Sequence, residues 1–272
     1  MSVAPPNIDI TSPVVLTLPG MERVEVLDGL AFHRTSDGRE LRLDRYAPGT
    51  GAAASGSNTN GGPLPAVVFV HGSTAPVLLR GVRDWGQYRS WGRLVAASGL
   101  AAVIPEHRGF AEAKPCDLSA EVDGAVAYVR SNATALGVDP ERLAVFGISA
   151  GVPLAIRAAA TAKVRCLVAY YGLLDILPDS AAARAGLGPE LSALTLLRAS
   201  RLPPLLVVRA GNDHPQLNQT IDAFTAEALT RNHPFELLNH PAGHHSFDTR
   251  DNTESSRHIV ARTLQFLHER LS

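Results

Sequence analysis

The chain has 272 residues, 45% of them hydrophobic, and a formal net charge of −1, enough apolar material for one large α/β domain. With no long basic or acidic run and no apolar run beyond strand length, it carries neither the footprint of a nucleic-acid binder nor a membrane span or polybasic anchor. The first six residues lack the basic start and apolar core of a signal peptide, so a cytoplasmic protein with a small, neutral or mixed partner is expected.

Residues 1–21 are proline-rich and without periodicity, which predicts an extended arm lying on the surface or against a neighbouring subunit, leaving room for a homo-oligomer. A single domain follows over 22–272. Residues 22–34 and 40–46 read as an antiparallel hairpin joined by Thr35-Ser36-Asp37-Gly38, with Asp44 as a solvated charge on the second strand. Residues 49–62, rich in Gly, Ala, Ser and Asn, read as a loop. From residue 65 onward the pattern changes. Apolar runs at 66–70, 100–104, 143–146, 165–170, 205–208 and 235–239 show no polar alternation, as in strands buried on both faces. Between them, helices are predicted at 85–98, 118–136, 152–160 and 218–231, and a last one at 254–271. The fold class is therefore α/β, a mostly parallel, eight-stranded twisted sheet with helices on both faces. Cys116 falls in a loop and Cys166 on a buried strand, with no metal or redox spacing.

The chemistry centres on Gly147-Ile148-Ser149-Ala150-Gly151, set between an apolar strand and a helix. A strand that turns this sharply into a helix leaves no room for side chains beside the turning residue. The two glycines meet that demand and hold the Ser149 hydroxyl, strained and exposed, at the helix N-terminus. A serine hydroxyl needs a base to take its proton and a carboxylate to orient that base. In open parallel sheets such groups gather past the carboxyl ends of strands. The run at 205–208 leads into Ala210-Gly211-Asn212-Asp213, and the run at 235–239 leads into Gly243-His244-His245-Ser246-Phe247. The order is thus serine, acid, histidine. On the residues alone His244 and His245 stand even, and Asp175 and Asp248 rival Asp213, which also reads as a turn residue ahead of Pro215. Asp248 is the least favoured, being only three places from His245.

His71-Gly72, the elbow at Ser149, Gly211-x-Asp213 and His245-x-Phe247 together give a chain that resembles the α/β-hydrolase superfamily, of the esterase and dienelactone-hydrolase-like kind, over about residues 22–272. The resemblance implies His245 as base, since the family's histidine commonly lies two places before an aromatic residue. It implies an oxyanion hole made by the Ala150 N–H and a donor from the loop after residue 70. That loop lacks the family's glycine run, so Ser73 and then Thr74 are the candidates. His71 and the Glu106-His107-Arg108-Gly109 corner are expected to brace loops. Trp85, Tyr88 and Trp91 are expected to pack, with Trp85 near the pocket mouth, and residues 172–204 to form a small cap insertion. The implied activity is that of a serine carboxylic-ester hydrolase, acting on small to medium esters through an acyl-enzyme, with no metal or organic cofactor. A lactone or dienelactone hydrolase is the nearest alternative, although those relatives typically carry cysteine at the elbow. A non-catalytic ligand-binding protein on the same scaffold is the alternative of another class.

Overall fold

In a computed structural model of the chain, residues 9–49, 62–199 and 201–272 are described. The first eight residues of the expected arm, and residues 50–61 of the expected glycine-rich loop, lie outside them. Eight strands form: β1 (Glu25–Arg34), β2 (Glu40–Ala47), β3 (Leu64–Val70), β4 (Ala101–Pro105), β5 (Val138–Ile148), β6 (Cys166–Tyr170), β7 (Leu205–Ala210) and β8 (Phe235–His240). They make one sheet in the order β1-β2-β4-β3-β5-β6-β7-β8. Only β2 runs against its neighbours, and every pairing from β4 to β8 is parallel.

The helices are α1 (Pro76–Leu79), α2 (Gly86–Ala97), α3 (Pro115–Ser131), α4 (Ala133–Leu136), α5 (Val152–Thr161), α6 (Ala181–Arg184), α7 (Ala193–Arg198), α8 (Pro215–Thr230), α9 (Phe247–Arg250) and α10 (Glu254–Leu271). Successive side chains of a strand point to opposite faces, so each central strand feeds two cores. Val68 and Val70 of β3 and Val145 of β5 meet Val122 of α3, Leu154 of α5, Leu196 of α7 and Phe224 of α8. Val67 and Phe69, with Phe146, meet Trp91 of α2 and Leu267 of α10 on the other face.

Three local expectations change. The helix predicted at 118–136 starts at Pro115 and breaks at Asn132, where the backbone turns to φ −109° and ψ 20° while both the N–H and the side-chain amide of Asn132 donate to the Tyr128 carbonyl. Strand β5 begins at Val138 rather than near 142, because its early residues pair with Leu64 of β3. Asp44 is buried, not solvated: it accepts from the Gly29 N–H and pairs with Arg83. Residues 172–204 carry α6 and α7, and Leu191 and Leu197 are sunk into the core, with α7 against α5 and α8.

The described part of the N-terminal segment lies across α2. Val14 is 2% exposed and its N–H donates to Ser90 Oγ, while the Gly86 N–H at the start of α2 donates to the Ile10 carbonyl. Among the described residues no helix is long and apolar enough to cross a membrane.

Candidate active site

Ser149 sits between β5 and α5 with φ at 54°, a left-handed conformation that costs a non-glycine residue on the order of 1–3 kcal/mol. Close packing holds it there. A Cβ at Gly147 would fall 2.7 Å from that of Ala155, and one at Gly151 would run into the Val70 and His71 carbonyl oxygens. The elbow is thus wedged against the end of β3.

Ser149 Oγ lies 2.8 Å from His245 Nε2, and His245 Nδ1 lies 2.7 Å from Asp213 Oδ2. A carboxylate only accepts, so Nδ1 carries the proton and Nε2 is left to accept from the serine hydroxyl. The second oxygen of Asp213 accepts from the His214 N–H at 2.7 Å. The Asp213 side chain is 5% exposed and that of His245 is 30% exposed, so the acid is shielded while the imidazole reaches solvent. Two backbone bonds tie the loops that carry them: the Gly211 N–H donates to His240, and the Asn212 N–H to Gly243. Chemically, this arrangement joins a hydroxyl, an imidazole nitrogen able to accept its proton and a carboxylate in one chain of hydrogen bonds.

The rival residues go elsewhere. His244 turns outward, 3.2 Å from Asp251. Asp175 accepts from Ser192 Oγ at 2.7 Å and from the Ile176 N–H. Asp248 is fully buried behind His245, where Tyr171, Gln87 and Trp91 all donate to it. Trp85 is buried in the core beside Tyr88 and away from solvent.

The loop after β3 passes directly over the serine, since a Cβ on Gly72 would lie 3.2 Å from that of Ser149. The Gly72 N–H is engaged, donating to Tyr88 Oη at 2.9 Å. Ser73 and Thr74 follow, both half-buried, and their N–H groups have no partner among the described residues. Ala150 opens the turn into α5 next to the nucleophile. The loop after β3 and the turn at Ala150 thus both adjoin Ser149.

His71 and His107 brace this loop from below, their rings stacked 3.6 Å apart and 2° from parallel. The His71 Nδ1–H faces the Gly72 carbonyl at 2.6 Å, and Nε2 accepts the His107 N–H at 3.1 Å. Burial holds both imidazoles below the ordinary histidine range, and for His71 the neighbouring His107 adds to the effect. Arg108 forms a buried ion pair with Glu121 at 2.6 Å.

Sequence reasoning missed the polar groups behind the site, namely Gln87, Tyr88, Tyr171 and the buried role of Asp248. A signal existed, because Gln87 and Trp91 are four residues apart and share one face of α2.

The family described as BD-FAE matches residues 56–181. The Arabidopsis thaliana protein isoprenylcysteine alpha-carbonyl methylesterase ICME is 29% identical over 114 residues, which is 42% of this chain and 23% of that protein. The chain therefore spans less than a quarter of the length of this relative. Among solved structures, a bacterial heroin esterase superposes with a TM-score of 0.72 at 18% identity, covering 95% of this chain and 87% of that one. A thermophilic esterase of the planctomycete Thermogutta terrifontis superposes with a TM-score of 0.69 at 21% identity, covering 92% and 94%. At these identities the likeness establishes a shared fold.

Proposed function

Because the chain is an α/β-hydrolase by fold, we propose that it is a serine carboxylic-ester hydrolase acting on small to medium esters. The observation that carries this reading is the line from Ser149 Oγ through His245 to Asp213, with hydrogen bonds of 2.8 and 2.7 Å, beneath a loop with unengaged N–H groups. In the proposed reaction Ser149 Oγ attacks the ester carbonyl while His245 Nε2 takes its proton. The developing oxyanion faces the N–H groups of Ala150 and of Ser73 or Thr74. His245 then passes its proton to the leaving alcohol, and a water activated by the same nitrogen releases the acid. Asp213 keeps the imidazole in the tautomer that both half-reactions need.

The names of the matched proteins, esterases and a methylesterase, support the ester class. Serine at the elbow, where dienelactone hydrolases typically carry cysteine, favours ordinary esters or simple lactones. Residues 172–204 pack largely onto α5 and α8, which supports an open site with a small cap.

The test is hydrolysis of p-nitrophenyl acetate, butyrate and octanoate by the wild type and by Ser149→Ala. The substitution is expected to lower kcat by on the order of 10³-fold or more with unchanged thermal unfolding. Comparable turnover by the variant would overturn the assignment. Inactivity of both proteins would favour the ligand-binding alternative.

A further inference from the structure

Ser246, the residue after His245, has φ at 63°, in the left-handed region that favours glycine, and bonds from outside the His245 loop as well as within it hold the chain there. Two residues on, the four-residue helix α9 carries Asp248, which is 0% exposed and receives three side-chain donors. Tyr171 Oη donates at 2.6 Å, and Trp91 Nε1 and Gln87 Nε2 each donate at 2.9 Å. Gln87 also donates to Tyr171 Oη at 3.0 Å, which closes the network. The Tyr171 ring stands edge-on to the His245 imidazole, centroids 4.9 Å apart. The Asp248 carbonyl takes the Val15 N–H at 2.8 Å, so the N-terminal segment is fastened to the same point.

Gln87 and Trp91 belong to α2, and so does Tyr88, whose hydroxyl receives the Gly72 N–H. One helix is therefore bonded to both the loop over Ser149 and the short helix that follows the histidine loop. We propose that Asp248 is a positioning residue for catalysis, clamping the His245 loop to α2 through Gln87, Trp91 and Tyr171 so that the base and the oxyanion loop share one rigid support. Asp248 touches neither substrate nor His245. It acts through the place it gives the imidazole. This inference rests on the serine-hydrolase reading above.

Three variants test it: Asp248→Asn, which keeps the shape and replaces one acceptor oxygen by a donor; Gln87→Met, which removes one donor; and Tyr171→Phe, which keeps the ring against His245 and removes the hydroxyl. A fourth, Val126→Ala in α3, weakens the far core and leaves the clamp untouched. The readouts are kcat and KM for p-nitrophenyl butyrate, the rate at which a fluorophosphonate labels Ser149, and the downfield proton resonance of the His245 Nδ1–H facing Asp213.

A misplacement of the order of 1 Å costs about 100-fold in rate, so Asp248→Asn is expected to lower kcat and the labelling rate about 10- to 100-fold with KM within about twofold. The Nδ1–H resonance should broaden or move. Gln87→Met and Tyr171→Phe should give smaller losses in the same direction, and they decide the matter if Asp248→Asn does not fold. Wild-type labelling rates and an unmoved resonance in the folded variants would overturn the proposal, as would equal losses in Val126→Ala at matched thermal stability. A wild type that neither hydrolyses esters nor takes the label would sink the hydrolase reading instead. The resonance would still report whether Asp248 holds the imidazole.

Discussion

A methyl group at Gly151 would meet the carbonyl oxygens of Val70 and His71, and neither can move without shifting β3. The backbone conformation there suits alanine, so the obstacle is space alone. Gly151→Ala is expected to lower unfolding free energy by about 1–3 kcal/mol and to cut esterase activity, because α5 must back away from the strand that carries the oxyanion loop. Gly81→Ala, where an added Cβ would meet nothing within 4 Å, serves as the comparison and is expected to stay within about 0.5 kcal/mol of wild type in urea unfolding. Equal midpoints for both variants would refute the steric account. The sharp turn was legible in the sequence because strand, turn and helix are contiguous, whereas the Val70 and His71 carbonyls that exclude a side chain at Gly151 lie far away in the chain. The choice between His244 and His245 was not legible from the residues themselves. It follows from the left-handed turn at Ser246 and from Asp251, which draws His244 outward.

Among the elements, the described part of the N-terminal segment is tied down by the most distant contacts. Expected as an arm on the surface or on a neighbouring subunit, it uses Val14 and Val15 to join α2 and α9, partners more than seventy residues away in the chain. Its apolar residues Ile10, Val14, Leu16 and Leu18 all fall on even positions, the spacing of an extended segment with one side buried, a period that the prolines at 13 and 19 obscured. Deleting residues 1–18 exposes the surface that Val14 covers, a loss of about 1.5–3 kcal/mol for that side chain alone. The truncated chain is expected to unfold at lower urea concentration and to lose part of its esterase activity through the loosened α9. A truncated chain with the wild-type midpoint would show that the segment adds nothing to the fold. The helix predicted at 118–136 illustrates the opposite case, in which the backbone turns at Asn132 within an element whose apolar spacing was read correctly.

Across the whole molecule, the stacked His71 and His107 couple stability to pH. Burial lowers both below their unfolded value of about 6.5, so the unfolded chain binds protons more readily. The stabilisation from keeping them neutral is complete above about pH 6.5 and is lost as pH falls through their folded values. His233 and His268, also lowered by burial, act in the same direction. Glu106, raised by burial, opposes them in more acidic solution. Urea midpoints are therefore expected to decline from pH 8 towards pH 5.5, and a flat profile across that range would count against two neutral imidazoles beneath the oxyanion loop.

Periodicity and local sterics by themselves determined the eight strands, the long helices α2, α3, α5, α8 and α10, the mostly parallel sheet and the elbow at Ser149, because each depends on residues close together in the chain. Chain order and strand ends narrowed the partners of the serine to a few carboxylates and two histidines. Only the tertiary structure brought Asp213 rather than Asp175 or Asp248 to His245, buried Asp44 against Arg83, and bonded α2 to both the loop over Ser149 and α9. Those outcomes rest on contacts between residues 16 to 161 positions apart. Such pairings leave no repeat or spacing in the sequence, since what selects them is the sheet order and the need of each buried polar group for a partner.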